Sequence, residues 1–404
     1  MSAILSSLLP ASNMLTIASF AGNQCTQNEE PERTVRLPFL DGLRALGIIL
    51  TMQFHSQGQI SRLCSARGGW WGIEIFFVLS GFLITSVLFD EQRLTQTISL
   101  RNFYIRRAIR LLPALAAYLA VILIVNPFGS PSPAIAVLIA MFYWSDFDVA
   151  FGLGHLANSG LNITWSLAIE EKYYAVWPLM AKHLRAWLPI FSLSAIISCI
   201  AWRGFLLLHG ATWVRMFALD THLDGIMLGS LMAALLYRQR ARQLLTRILA
   251  HTKLLVPLFA LMLLLVRTIA HPESLAQCSQ KLLFFCVMVP SMQLIFAALI
   301  VSLYLTGDSP LKRFLSCRWL TWIGEISYSL YLWHAFAFLI IAKRVSGPSA
   351  EIAGWCLAFG LACLSYYAIE MPCSRLRKFF HTSGGTVHDV NFGPVPGLAP
   401  PGCQ

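Results

Sequence analysis

An arginine and a histidine share one apolar segment near the beginning of the sequence. Residues 40–44 have the sequence Leu-Asp-Gly-Leu-Arg, and residues 53–55 have the sequence Gln-Phe-His. On an α-helix, Arg44 and His55 lie on the same face about 16 Å apart, with Asp41 near the arginine. Ionisable groups within a membrane helix are costly and mark functional sites. An imidazole there can remove a proton from a hydroxyl group that attacks an acyl carbonyl, or it can form a buried hydrogen bond between helices.

Acidic residues on other apolar segments could assist this histidine. Glu74 lies in the segment 72–85 at a depth close to that of His55, and Ser80 follows it beside a glycine, a pair suited to close helix packing. Asp224 begins a later apolar segment, which we expect to enter the membrane from the same outer side as His55. We therefore treat these three residues as candidates that support the acceptor or the base.

Two consecutive carboxylates follow about two turns into the segment that begins at residue 164. One of Glu170 and Glu171 could pair with Lys172, and the other could orient His55 or raise its basicity. Trp165, at the start of the same segment, is a further supporting candidate.

A basic cluster suited to phosphate groups lies between residues 101 and 113. Arg107 and Arg110 are one helical turn apart, and Arg106 precedes them. Guanidinium groups on one face bind phosphate bidentately, so these residues suit a site for phosphate groups. Anchoring to anionic lipid explains the same charges equally well.

A segment near the end of the chain, 323–334, is rich in hydroxyl and aromatic side chains. Ser327, Tyr331 and His334 could line a cavity that binds a sugar. Aromatic residues at this density also serve as anchors at the membrane interface, and both interpretations stay open.

The composition requires a lipid bilayer around the chain. Hydrophobic residues make up 57% of the 404 residues and charged residues only 12%, against about 25% charged in soluble domains. The net charge of +11 is divided into short clusters between apolar runs, which is typical of a membrane protein and argues against nucleic acid as a partner. The ten cysteines show no metal-ligand spacing, so no metal is expected.

Hydrophobic runs predict an all-α integral membrane fold with about ten transmembrane helices. The predicted spans are 37–56, 70–90, 109–126, 164–181, 188–208, 222–237, 254–270, 282–305, 321–342 and 352–370. A shorter apolar piece at 134–146 is expected to be re-entrant or interfacial, because crossing would move every later basic cluster to the opposite side. Both termini are then cytosolic. We expect a largely disordered extension at 1–36, a membrane domain at 37–378 and a disordered tail at 379–404.

Taken in order, these segments resemble the membrane acyltransferase-3 family. The resemblance rests on Asp-Gly-Leu-Arg at 41–44 with the histidine at 55, Phe-Phe-Val-Leu-Ser-Gly-Phe-Leu-Ile at 76–84, the arginine cluster before Pro113, Trp-Ser-Leu with Glu-Glu at 165–171, and Ile-Ser-Tyr-Ser-Leu-Tyr-Leu-Trp-His at 326–334. In that family the residues matching Arg44 and His55 are regarded as essential, and those matching Arg107 and Arg110 are associated with the donor.

The resemblance implies an enzyme of the bacterial inner membrane that moves an acyl group, usually acetyl from acetyl-CoA, to a hydroxyl of a surface glycan or lipid-linked glycan. The chain departs from the family at Glu74, Lys172, His222 and Met371 and matches only its membrane domain, without a fused esterase-like domain. We expect Arg106, Arg107 and Arg110 to hold the acyl-CoA phosphates and His55 to act as general base. A proton-coupled transporter of glycans or small molecules would also place ionisable groups in its spans, as would a non-catalytic scaffold.

Overall fold

Long apolar runs interrupted by glycine, proline and charged residues form a bundle of helices. The computed structural model of the chain describes residues 37–56, 71–125, 132–157, 159–249, 253, 256–257, 260, 275 and 277–376, and no strand occurs among them. All of these residues belong to one compact unit, Thr34–Gln404. The predicted N-terminal extension, the C-terminal tail and most of the predicted span 254–270 lie outside the described residues.

Seven α-helices lie within the described residues between positions 37 and 208. They are α1 (Pro38–Ser56), α2 (Trp71–Thr95), α3 (Leu100–Val125), α4 (Pro133–Met141), α5 (Ser145–Ala150), α6 (Thr164–His183) and α7 (Leu188–Leu208). A 3-10 turn at Trp213–Phe217 leads into α8 (Leu219–His222), α9 (Asp224–Leu236) and α10 (Gln239–Leu249).

The second half contains helices with two π-helical segments. The helices are α11 (Cys278–Leu282), α12 (Val289–Leu305), α13 (Pro310–Leu315), α14 (Arg318–Glu325), α15 (Ser327–Ala342), α16 (Pro348–Ser365) and α17 (Met371–Leu376). The π-helical segments are Leu283–Met288, between α11 and α12, and Tyr366–Glu370, between α16 and α17.

Five helical stretches within the described residues are long and apolar enough to cross a bilayer. They are Trp71–Thr95, Leu100–Val125, Leu188–Leu208, Cys278–Leu305 and Pro348–Leu376. The bent pair α14 and α15 adds a sixth if it counts as one span. The all-helical prediction is therefore confirmed, but a count of about ten spans is not. Helices α1 and α6 have 19 and 20 residues but contain the ionisable groups singled out above, and α9 has only 13 residues.

The apolar piece at 134–146 forms two short helices with a break between them. Helix α4 has nine residues and α5 has six, so each extends less than about 15 Å, half the thickness of the hydrocarbon core. Neither helix is long enough to cross the membrane by itself.

The predicted span 321–342 bends by 70° between α14 and α15, so it forms a broken span or a re-entrant loop. The bend lets α14 approach the backbone of α1. A side chain at Gly324 would place its Cβ 2.0 Å from the carbonyl oxygen of Asp41, so only glycine fits this crossing. A second close approach joins α2 to α9, where a Cβ on Gly81 would lie 1.9 Å from the carbonyl oxygen of Ile226.

Helix α1 contacts both hydrophobic cores of the bundle. Phe39, Leu40 and Leu43 pack into a core formed with α2, α7, α9 and α12. Ile48 and Met52 pack into a second core formed with α3, α15 and α16. The residues between these contacts therefore lie where the two groups of helices meet.

Candidate active site

A cavity of about 510 Å³ is lined by the first two turns of α1, the middle of α2, Arg107 and Arg110 of α3, and the stretch 366–374 that follows α16. Three guanidinium groups and several acids line it. The ionisable residues of its lining are Asp41, Arg44, Arg107, Arg110, Glu325 and Glu370. Arg44, Arg107 and Arg110 lie in the N-terminal halves of α1 and α3, and Glu370 lies near the C-terminal end of the 348–376 stretch, so these charged groups gather toward one end of their helices.

A smaller cavity of about 90 Å³ adjoins the first and extends deeper between the helices. Six residues line both spaces: Arg44, Ser80, Arg107, Arg110, Tyr174 and Tyr328. The deeper part is lined by Ile73 and Phe76 from the beginning of α2, Ser166 from the beginning of α6, and Ser327 with Tyr331 from α15. The combined space therefore runs from the basic end of the bundle toward the opposite ends of these helices.

Glu170 is held by hydrogen bonds within the cavity wall. The Ser80 hydroxyl donates to its Oε1 at 3.0 Å, and the Tyr174 hydroxyl donates to its Oε2 at 3.2 Å. The guanidinium of Arg107 lies 3.6 Å from the centre of the Tyr174 ring, a cation–π contact. A carboxylate, two hydroxyls and a cation thus form one connected group between the two cavities.

Two buried atoms near this group have no hydrogen-bond partner among the described residues. They are the Nε of Arg107 and the Oε1 of Glu171. A buried polar atom without a partner is costly unless a ligand or water satisfies it. The Arg107 guanidinium, which also lines both cavities, therefore has a donor left for a bound anion.

His55 and His334 form a pair beyond the deep end of the cavities. Nδ1 of His55 lies 3.3 Å from Nε2 of His334, and the rings are 5.0 Å apart. His334 is fully buried and is one helical turn beyond Tyr331, which lines the smaller cavity. Neither histidine lines either cavity. Arg44 and His55 therefore lie at the two ends of the path, with Asp41 paired to Arg44 at 3.3 Å.

Tyr331 connects the cavity to the beginning of α6. Its hydroxyl donates to the backbone carbonyl of Ile163 and, because its proton is used there, accepts from Ser166 Oγ at 2.6 Å. Ser327, also predicted from sequence, is buried one turn earlier in the lining of the same cavity. The structure thus brings together eight of the predicted residues around the two cavities. They are Asp41, Arg44, Ser80, Arg107, Arg110, Glu170, Ser327 and Tyr331.

Glu74 lies apart from His55, contrary to our expectation. Its carboxylate contacts His222 Nε2 at 2.8 Å and accepts from Gln293 at 2.7 Å, and all three side chains are buried. Trp165 packs edge-on against the His222 ring at 5.3 Å. The Glu74 side chain is turned toward α8 and α12.

Asp224, Lys172 and Arg106 are also engaged outside the cavities. Asp224 forms a buried ion pair with Arg203 of α7. Lys172 pairs with Asp146 of α5 at 2.5 Å, so it binds neither of the adjacent glutamates. Arg106 pairs with Glu91 at 3.0 Å and does not line either cavity, unlike Arg107 and Arg110.

The predicted link between His55 and the glutamates is not present in this structure. Glu170 is bonded to Ser80 and Tyr174, whereas Nδ1 of His55 lies 2.9 Å from the carbonyl oxygen of Thr51. The residue that contacts the His55 ring nitrogen from another helix is His334, which we had placed among the residues supporting the acceptor.

Sequence reasoning missed several residues of the site. Tyr174, Tyr328 and Glu370 line the larger cavity, and Glu351 accepts a hydrogen bond from Ser56, next to His55, at 3.1 Å. Glu370 occupies the π-helical segment Tyr366–Glu370, a geometry that often marks functional sites. An acid inside an apolar run is a sequence feature that could have identified both glutamates.

Comparison with known families decides the class of protein. The family profile described as "Acyltransferase domain" matches residues 37–371, most of the chain. The chain belongs to this family. The matched range includes every residue of this acyltransferase domain that lines the two cavities except Ser374, together with both histidines of the pair.

Curated relatives of this acyltransferase-family chain include proteins of Listeria monocytogenes, Staphylococcus aureus and Bacillus subtilis. The chain is 29% identical over 364 residues to the peptidoglycan O-acetyltransferase OatA of Listeria monocytogenes, covering 84% of this chain and 56% of that protein. It is 30% identical to the O-acetyltransferase OatA of Staphylococcus aureus (84% and 57% covered) and 30% identical to the putative peptidoglycan O-acetyltransferase YrhL of Bacillus subtilis (83% and 54% covered). The chain spans about half the length of these relatives. No solved structure matches it.

Proposed function

We propose that this chain transfers an acyl group, acetyl from acetyl-CoA in the first instance, to a hydroxyl of a carbohydrate-type acceptor. The observation that carries the proposal is the pair of adjoining cavities that begins at Arg107 and Arg110 and reaches Tyr331, one helical turn from His334 of the histidine pair. The names of the relatives, which act as O-acetyltransferases, support the reaction type and make peptidoglycan the first acceptor to test.

The basic end of the path fits the phosphate groups of an acyl-CoA. Arg107 and Arg110 line both cavities, and the buried Nε of Arg107 has no partner among the described residues. Planar guanidinium groups bind phosphates through paired hydrogen bonds and remain charged when partly buried. Arg44 adds a third cation at the same end. Acyl-CoA supplies the activated acyl carbon as a thioester.

The spacing along α1 suits a donor that reaches from one end of the path to the other. Arg44 and His55 are both on α1, about 16 Å apart at the rise of an α-helix. That distance is comparable to the reach of a pantetheine arm whose phosphates stay at the basic end. Its thioester would then lie near the histidine pair.

His55 is the proposed general base of the transfer. It takes the proton of the acceptor hydroxyl, whose oxygen forms the new ester bond to the acyl carbon. The bond between the acyl carbon and the donor sulfur breaks, and the proton passes from His55 to the departing sulfur. The products are an ester and a free thiol, so the reaction needs no oxidant.

The proposal carries a topology with it. We place the basic end of the bundle at the cytosol and the histidine pair toward the outer face of a bacterial inner membrane, with about ten crossings and both termini cytosolic. Donor and acceptor then enter from opposite sides. The clustering of arginine at the beginnings of α1 and α3 supports this orientation.

The proposed function is tested by the mass of surface glycans from strains that carry variants at matched membrane abundance. His55→Ala and Arg44→Ala should each abolish the acetyl increment that wild type restores to a deletion strain. The control is Arg313→Ala, whose side chain is 69% exposed and pairs with Asp308. Acetylation that persists in both variants would contradict the proposal. Movement of unmodified glycan or drug by wild type, with no covalent change, would instead favour a transporter.

A further inference from the structure

The proton on His334 can be assigned from its contacts. Its Nδ1 lies 3.0 Å from the carbonyl oxygen of Leu330 and 2.8 Å from that of Tyr331. Carbonyl oxygens only accept hydrogen bonds, so Nδ1 carries a proton. Nε2 of a neutral His334 then presents a lone pair to its neighbour, and that neighbour is Nδ1 of His55 at 3.3 Å.

The same reasoning assigns the proton on His55. Its Nδ1 faces the carbonyl oxygen of Thr51 at 2.9 Å and the Nε2 lone pair of His334. Both neighbours are acceptors, so Nδ1 of His55 carries a proton shared between them. The alternative, a protonated His334, would leave a buried cation and turn the Nδ1 lone pair of His55 toward a carbonyl oxygen.

These assignments leave Nε2 as the basic nitrogen of His55. It has no hydrogen-bond partner among the residues that the structure describes, whereas Nδ1 has two. We propose that His334 is a positioning residue that holds His55 in the Nδ1–H tautomer, so that Nε2 is the atom that takes the acceptor proton. The catalytic consequence rests on the proposed function, but the tautomer itself does not.

Aromatic contacts fix both rings in the required orientation. Phe54 lies edge-on to the His55 ring at 5.2 Å, and Tyr331 and Phe338 flank His334 at 5.8 and 6.4 Å. His334 is fully buried on α15, so its Nε2 has little freedom to leave the pair. A carboxylate in this position would both orient and charge the base, whereas a neutral imidazole orients it by hydrogen bonding alone.

The size of the effect follows from this difference. Thr51 continues to accept from Nδ1 when His334 is replaced, so part of the tautomer preference survives. Loss of an orienting partner behind a functional histidine commonly costs about 10- to 100-fold. We therefore expect His334→Phe to lower kcat by that factor with little change in KM for acetyl-CoA. His334→Gln, whose side-chain oxygen can reach the Nε2 position, should keep most of kcat, and His334→Asn, which is shorter, should not.

The direct test is nitrogen NMR of the full chain, labelled with ¹⁵N-histidine and reconstituted without donor or acceptor. His55 is identified as the resonance lost in His55→Gln, and His209→Gln, at the end of α7, serves as the control for an exposed imidazole. We expect a protonated Nδ1 and an unprotonated Nε2 at His55 in wild type, and a mixture of tautomers in His334→Phe.

Two results would overturn the inference. One is a protonated Nε2 with an unprotonated Nδ1 on His55 in wild type. The other is an equal loss of kcat in His334→Gln and His334→Phe, because that would show that the hydrogen-bond acceptor is irrelevant. If His334→Phe does not fold, the kcat of His334→Gln compared with that of His334→Asn, together with the wild-type spectrum, still tests the inference. Absence of acyl transfer by wild type would reject the proposed function but leave the tautomer measurement intact.

Discussion

The Nε2 atom of His222 lies 2.8 Å from the Oε1 atom of Glu74, with both side chains fully buried between α2 and the turn before α9. This contact joins residues 148 positions apart in the chain. It lies next to the buried Arg203–Asp224 pair. Two acids and two basic residues are thus buried together on this side of the bundle, away from the cavities. We interpret the group as a structural network that holds α2, α7 and α9 together.

The first prediction concerns this network. Glu74→Ala leaves His222 and Gln293 without their partner, and breaking a buried pair costs about 3–5 kcal/mol. We expect a lower melting temperature and lower membrane abundance, with KM for acetyl-CoA unchanged in the protein that remains. Thermal unfolding of purified protein in detergent measures the first effect. An unchanged melting temperature together with lost activity would assign Glu74 to the active site instead.

The second prediction separates two adjacent residues of α2. Gly81→Ala places a Cβ against the carbonyl oxygen of Ile226, and overpacking of this kind costs about 1–3 kcal/mol or more. Ser80→Ala removes a hydroxyl that donates to Glu170 and widens the cavity without adding a steric clash. We expect Gly81→Ala to destabilise the protein and Ser80→Ala to change its kinetics while its melting temperature stays close to that of wild type. The reverse pattern in the two assays would refute this division.

The sequence predicts features that lie within one helix better than contacts between helices. The extent of α7 and the placement of Arg44 and His55 on one helix follow from the hydrophobic runs, and the structure has both features. Pairings such as Lys172 with Asp146 and Glu74 with His222 depend on which helices pack together. Periodicity carries no information about that choice, because it fixes only the depth and the face of a residue on its own helix.

The bend at residue 326 and the π-helical segment Tyr366–Glu370 could not be predicted from the sequence pattern either. The apolar run continues through both places, so hydropathy predicts one uninterrupted helix. Close contact of Gly324 with the backbone of α1 is compatible with the bend, and the π-helical segment brings Tyr366 and Glu370 into the cavity lining. Both departures from regular geometry help to shape the site.

The third prediction distinguishes three arginines of α3. Arg107→Gln and Arg110→Gln remove cavity-lining cations, and a hydrogen bond to a charged group contributes about 1.5–3 kcal/mol, so each should raise KM for acetyl-CoA by about 10- to 100-fold. Arg106→Gln is the matched control. It breaks the pair with Glu91 and should reduce stability without changing that KM. Equal changes of KM in all three variants would show that net charge, not the cavity, binds the donor.

The fourth prediction concerns Glu170. Glu170→Gln keeps the size of the side chain but removes the charge that faces Ser80 and Tyr174. We expect weaker alignment of Tyr174 under Arg107 and therefore a higher KM for acetyl-CoA, with the His55 tautomer unchanged in the NMR spectrum. A changed His55 tautomer in Glu170→Gln would show that Glu170 acts directly on His55. The hydrogen bonds of the structure argue against such a link.

The central claim is that an acyl group from one side of the membrane reaches an acceptor on the other through the path from Arg44 to His55. Its most direct test supplies radiolabelled acetyl-CoA to inside-out and right-side-out membrane vesicles that contain their own glycan acceptor. We predict base-labile label on luminal glycan in inside-out vesicles, none in right-side-out vesicles, and none in either with His55→Ala. Equal labelling in both orientations, or undiminished labelling with His55→Ala, would contradict the account.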